Sequence, residues 1–225
     1  MPAIGLATWI GMTRTMVRIE LDQLERCVAE MHETLAGQVA EFQRYVDARA
    51  ASMDPDTRDE WYEWNSDRHW ELSEVFPRIV RHSIFVTAYG FLEHTLLALC
   101  RHLEREHDHS VKLSDLKGEG IVLARAHLKK VHGIPFPDQS VEWNRISWYR
   151  KVRNCLVHND GRIPSGEKGQ RIREFFSANS ALGSVDHLGR ISLTQAASDD
   201  IIAMIRAFLD QLLNLIQPAR HRDRR

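Results

Sequence analysis

The chain has 225 residues, 43% of them apolar, with 30 Lys and Arg against 31 Asp and Glu, for a formal net charge of −1. That length and apolar content suit one sizeable core, and the balance excludes a protein that grips nucleic acid through bulk positive charge. The three cysteines, Cys27, Cys100 and Cys155, form no CxxC pair, which argues against a zinc module or a disulfide scaffold and fits a reducing compartment.

The charge is unevenly spread. From Met16 to Val75 there are six Lys or Arg against fifteen Asp or Glu, a net of −9, and from Ile121 to Phe175 eleven against five, a net of +6. Such asymmetry is expected either of solvated helix faces or of a chain that meets a charged partner on its basic side.

In chain order, the first ten residues are mildly apolar but lack a basic leader and are too short to span a bilayer. They read as a tail, with Met12 or Met16 as alternative starts. No other stretch approaches transmembrane length, so a cytoplasmic protein with no membrane partner is expected. Over residues 13–51, apolar side chains recur every three or four positions through Val17, Leu21, Leu24, Val28, Met31 and Leu35, one helical stripe. Asp54-Pro55 starts a second, aromatic-rich helix with Asp as N-cap, and Pro77 predicts a kink or break. Residues 79–106 are apolar over a wide arc and should form the central buried helix. After a polar connector, Ser114 or Asp115 is expected to cap a short helix carrying Ile121, Ala124 and Leu128. Gly133 to Asp138 is a loop, and 142–159 a helix with Ile146, Tyr149, Val152 and Leu156 on one stripe, stopped by Asn159-Asp160-Gly161. Residues 162–170 read as loop, and Val185 to Leu193 as a small hairpin. Ser198 should cap a last helix that ends at Pro218, followed by a basic, disordered tail. There is no internal repeat.

The segment from Trp143 to Ile163 carries the chemistry. Asn154 and His158 are four apart and share a helix face, whereas Arg153 and His158 are five apart, about 140° round the helix. A histidine in the last turn before a helix stop suits proton transfer near neutral pH, and arginine offers planar donors for phosphate oxygens. Together they are the minimum kit for cleaving RNA through its own 2′-hydroxyl.

Arg153-Asn154-Cys155-Leu156-Val157-His158-Asn159-Asp160-Gly161-Arg162-Ile163 resembles the HEPN superfamily, whose nuclease members carry an Arg-x(4–6)-His motif on a late helix; here it is Arg153-x4-His158. Tyr89-Gly90-Phe91-Leu92-Glu93, Gly118-Glu119-Gly120-Ile121 with Ala124, and Trp143-x-x-Ile146 are also similar to one bacterial branch. The resemblance covers residues 75–217. It implies an all-α, HEPN-like helical bundle that dimerises with the two motif helices near the two-fold axis. The long acidic helices of 1–74 lie before that domain, and 218–225 form the tail. It also implies a metal-independent endoribonuclease, a toxin or antiviral-defence effector, with Arg153 and His158 catalytic, Asn154 and Asn159 supporting and Glu93 orienting. No cofactor or metal is implied. The implied partners are RNA, a second copy and an antitoxin or defence-system protein. The alternative is a non-catalytic HEPN module that binds RNA, nucleotide or a protein, or a scaffold working through its acidic helices. Members regulated by modification of a tyrosine two residues after the motif histidine differ from this chain, which has Asp160 there.

Other patterns are weaker. Glu104-x-x-His107 has the spacing of half a di-iron carboxylate site, but no second such pair exists, and with His109 nearby it reads as a solvated helix end. Cys155 reads as a buried small residue, and Trp61, Trp64 and Trp70 as packing groups. Walker A, dinucleotide, HExxH and GxSxG motifs are absent from the sequence.

Overall fold

The computed structural model describes residues 5–107 and 109–216. The fold is all-α, with one small two-stranded sheet before the last helix. The basic tail of 218–225 falls outside the described residues, and the last helix ends earlier than expected, at Leu215 with Ile216 as its C-cap.

α1 runs over Leu6–Ala50, about 67 Å at 1.5 Å per residue. It starts earlier than residue 13, because Leu6 and Ile10 are buried and continue the stripe through Val17, Leu21 and Val28 into the main core. From there to Val46 its described residues are at most partly covered. α2, Pro55–Trp70, folds back along that distal half, and Asp54 caps it by accepting a hydrogen bond from the Thr57 N–H. Trp61 Nε1 donates to the Val46 carbonyl at 3.1 Å and Arg58 to those of Ala50 and Met53. α2 buries no residue, and Trp64 is 84% exposed, so only Trp61 among the three tryptophans packs as expected.

Pro77 neither breaks nor separates the helices. One π-turn, Glu71–Val75, carries α2 directly into α3, Phe76–Glu106. A proline cannot donate to the carbonyl four residues back and its ring crowds it; widening the preceding turn to an i→i+5 pattern absorbs the mismatch. The resulting continuous helix, Pro55–Glu106, contains an 18-residue window of mean hydropathy 1.4, long and apolar enough to cross a membrane by length and composition, with half of the window buried inside the fold. That corrects the reading that no stretch reaches such length; a buried core helix passes the same test.

α3 is the centre of the bundle. Ile84, Phe85, Ala88, Leu92, Leu96 and Leu99 are all buried against α1, α4 (Gly120–Lys130), α5 (Val141–His158) and α7 (Gln195–Leu215). Full burial of such aliphatic side chains contributes about 1.5–3 kcal/mol each before the entropy of ordering them is subtracted. Arg206 on α7 pairs with Asp22 and Glu25 of α1 at 2.8 and 2.9 Å, and Arg14 donates to Asn214 at 2.6 Å, so the proximal half of α1 is fixed to the bundle.

Three boundaries differ from expectation. Ser114 and Asp115 lie in a separate short 3-10 turn, Leu113–Asp115, and α4 begins only at Gly120, after Glu119. A helix α6, Glu167–Ala178, begins inside the stretch read as loop, 162–170, and continues through residues given no element in the sequence reading; its start is masked in sequence by Pro164, Ser165 and Gly166. Gly169, inside it, lies so close to the Pro164 carbonyl that any side chain would collide, so a residue that reads as a breaker is there for close approach. α7 starts at Gln195 after Thr194, and Ser198 is a buried residue within the helix, not its cap. Between α6 and α7, β1 (Gly183–Val185) pairs antiparallel with β2 (Ile191–Leu193), with Ser184 opposite Ser192.

Candidate active site

α5 begins where Ser140 accepts the Trp143 N–H at 3.0 Å. It buries Trp143, Ile146, Tyr149, Val152 and Cys155 on one face, spacings of three and four that commit that stripe to the core. Tyr149 meets Phe85 edge-on at 5.1 Å and donates its hydroxyl to Asp200 of α7. The opposite face therefore stays in solvent: Arg150, Lys151, Asn154, Val157 and His158 are exposed.

The end of the helix is locked by the hairpin. The N–H groups of Asn159 and Gly161 both donate to the Cys155 carbonyl, at 3.1 and 3.0 Å. Asp160 and Gly161 then adopt left-handed φ of 50° and 74°. Such φ is costly for a residue with a Cβ, and the Arg190–Asp160 ion pair at 3.0 Å holds the turn. Ile191 N–H donates to the Gly161 carbonyl at 2.8 Å and Ile163 N–H to that of Gly189 at 2.9 Å. The chain after the motif thus joins the hairpin as an extra edge. Beneath the turn lies His82 of α3, which the sequence did not single out; burial, then the nearby Arg78, depresses its pKa.

The structure places the motif residues unequally. His158 stands exposed in the last turn of α5. Arg153 is half-buried: its guanidinium lies 5.7 Å from the Tyr89 ring centroid, its Nη1 donates to Asn154 Oδ1 at 3.2 Å, and its Nε is buried without a partner. Among the described residues, no hydrogen bond or ion pair joins Arg153 to His158 or to Glu93. Glu93 instead faces the start of α4, where a Cβ on Gly120 would stand 2.5 Å from its Oε2. Tyr89, buried between Glu93, Arg150 and Arg153, has its hydroxyl pKa pushed up, first by burial and then by Glu93. Asn154 is brought to Arg153, and Asn159 forms the C-cap of α5.

Beside the motif is a cleft of about 400 Å³ whose wall includes Arg150, Lys151, Asn154, Asn159, Lys168 and Arg171. Lys151 Nζ sits 3.5 Å over the Trp148 ring, and desolvation followed by repulsion from Arg171 and Arg150 lowers its pKa. Crowded cations in a concave wall favour an anionic occupant. Cys155 closes the floor as a buried thiol whose pKa burial raises, an inert setting for a cysteine. α6 supplies Lys168 and Arg171; the first was read as loop and the second given no element, which hid half of the cleft's cationic wall.

The reading of Glu104-His107-His109 as a solvated helix end is corrected. Glu104 Oε1 accepts the Leu113 N–H and lies 3.4 Å from Nε2 of the fully buried His127, and His107 and His109 border a cleft of about 600 Å³ away from the motif. Compared with known proteins, the chain matches no family model, no curated protein and no solved structure.

Proposed function

We propose that the chain is a HEPN-type, metal-independent endoribonuclease with His158 moving protons and Arg153 holding charge on the scissile phosphate. The observation that carries this reading is the exposed end of α5, where His158 stands in the last helical turn, next to Asn159 on the wall of a cleft lined by four cationic side chains. The cationic wall binds the phosphate backbone. The ribose 2′-hydroxyl, already adjacent to phosphorus, serves as the nucleophile and spares the capture of a separate one. Because Arg153 leans on Tyr89 in one chain, a second copy docked on the exposed α5 face completes the site, each protomer bringing one His and one Arg. The biological role in this reading is a toxin or defence effector.

The second reading is a non-catalytic RNA-binding module. It is favoured by the inward lean of Arg153, away from His158. Expression of the wild type beside His158→Ala, scored for growth and RNA integrity, separates the two. Growth arrest with fragmented RNA in the wild type alone supports the nuclease; identical behaviour of both supports the binding module.

A further inference from the structure

We propose that the outer face of α2, which carries Asp56, Asp59, Glu60, Glu63 and Asp67 beside Trp64 and Trp70, docks in the cationic cleft between α5 and α6 of a second copy of this chain. The self-association does not rest on the nuclease reading. One consequence does: the cleft is the proposed RNA path, so the docked helix and RNA exclude each other there.

The pattern of α2 builds the first surface. At about 100° per residue its five carboxylates fall within an arc of about 100°, and all five are exposed. Trp70 lies inside that arc and Trp64 about 40° beyond its edge; they are 58% and 84% exposed. The two arginines of α2 do not offset this charge, because both are engaged elsewhere. Arg58 donates to the carbonyls of Ala50 and Met53, and Arg68 pairs with Glu71 at 2.9 Å. Among the described residues none of the five carboxylates forms an ion pair. Exposed tryptophans are the side chains most often found at the centre of protein contacts.

The second surface is its electrostatic complement. Arg150, Lys151, Lys168 and Arg171 crowd a cleft of about 400 Å³. Among the described residues, Arg171 has a carboxylate partner in Glu167, one turn away, while Lys151 rests on the Trp148 ring. Desolvation, then repulsion from Arg171 and Arg150, lowers the Lys151 pKa, and docked carboxylates relieve that repulsion. A single exposed ion pair contributes little, but several charges facing several form a network that contributes more. Trp64 and Trp70 add rings on which a guanidinium can stack.

The chain cannot satisfy its own cleft. α2 runs through the π-turn, where Leu72 is buried, into α3 as one continuous helix, Pro55–Glu106. His82 lies under the motif turn, and along that helix it is about 22 Å from Asp67 and about 39 Å from Asp56. α1 braces the arm through the Val46, Ala50 and Met53 carbonyls. The acidic face therefore projects past the motif end of the bundle and is held away from the cleft of its own molecule. Two copies related by a two-fold axis place each arm in the other's cleft, a closed arrangement. One helix face on one cleft is a small interface, so the contact belongs to the micromolar, salt-sensitive class.

The test is sedimentation velocity of the full chain over the micromolar range, at low and at high salt. We expect a reversible dimer that salt weakens. An arm reversal, Asp59→Lys/Glu63→Lys, and a cleft reversal, Lys151→Glu/Arg171→Glu, should each weaken self-association at least about tenfold. An equimolar mixture of the two should associate again, because each reversed surface then meets its opposite. All four positions are exposed, and unchanged helical spectra check the fold. Should a double reversal unfold, Glu63→Lys and Lys151→Glu make the same cross. A dimer through the α5 face alone, as in the nuclease reading, is untouched by the arm reversal, and RNA cleavage has no part in the measurement, so either idea can fail alone. A wild type that stays monomeric at low salt, a dimer indifferent to the arm reversal or to the cleft reversal, or no recovery in the mixture overturns the proposal.

Discussion

The cleft beside α5 makes a quantitative prediction about RNA binding. Four cationic side chains line it: Arg150, Lys151, Lys168 and Arg171. Each phosphate neutralised on a single strand contributes about −0.7 to the slope of log K against log salt concentration, so four contacts give a slope of about −2.8. Between 50 and 200 mM salt the affinity should then fall about 50-fold. The Lys151→Ala/Arg171→Ala double variant removes two contacts, leaving a slope of about −1.4 and a fall of about 7-fold over the same range. Both side chains are exposed and their partners among the described residues, the Trp148 ring and Glu167, are local, so the fold should not change. The assay is fluorescence anisotropy of a labelled single-stranded RNA, in a His158→Ala background to prevent cleavage, across a salt series. An identical slope in parent and double variant would refute the assignment of this cleft as the RNA path.

Three other outcomes follow from the same structure. His158→Ala should alter stability by less than about 0.5 kcal/mol because the side chain is exposed, while Arg153→Ala should cost about 0.5–2 kcal/mol for the lost cation–π contact with Tyr89; thermal melts check both, and gross unfolding of either would assign these residues a structural role. Leu21→Ala, at a fully buried position of α1, should cost about 2–5 kcal/mol and lower the melting temperature by roughly 4–20 °C at about 2–4 °C per kcal/mol; a shift under about 2 °C would mean that α1 is not part of the cooperative core. The His132 pKa, near 4 in the fold against 6.5 unfolded, makes the folded state bind fewer protons, so its contribution is full above pH 6.5 and is lost as pH falls from 6.5 toward 4; His132→Gln should melt with a flatter acid limb than the wild type, and equal limbs would contradict the burial argument.

Long periodic stripes were readable in the sequence because burial imposes them. Ile146, Tyr149 and Val152 on α5, and Val17 and Leu21 on α1, sit at spacings only a helix satisfies. What escaped reading was set by tertiary context. Gly166 and Gly169 read as loop residues, yet one enters α6 at φ 75° and the other permits contact with Pro164. Pro77 reads as a breaker, and a π-turn upstream neutralises it. The motif itself was visible as Arg153 and His158, but its cationic wall needed α6, which brings Lys168 and Arg171 to α5 from across a turn. His127 and His132 carry no local signal. Only the packing of α4 on α3 brings them to Glu104 and His107.

The central claim is cleavage through the 2′-hydroxyl by Arg153 and His158, and end-group analysis tests it most directly. Labelled RNA and DNA of one sequence are incubated with the protein in excess EDTA, beside the His158→Ala variant. The account predicts RNA fragments ending in 2′,3′-cyclic phosphate, intact DNA, and a loss of about 10²–10⁴ in rate for the variant. Full inhibition by EDTA, DNA cleaved at a comparable rate, or wild-type rates from His158→Ala would contradict it.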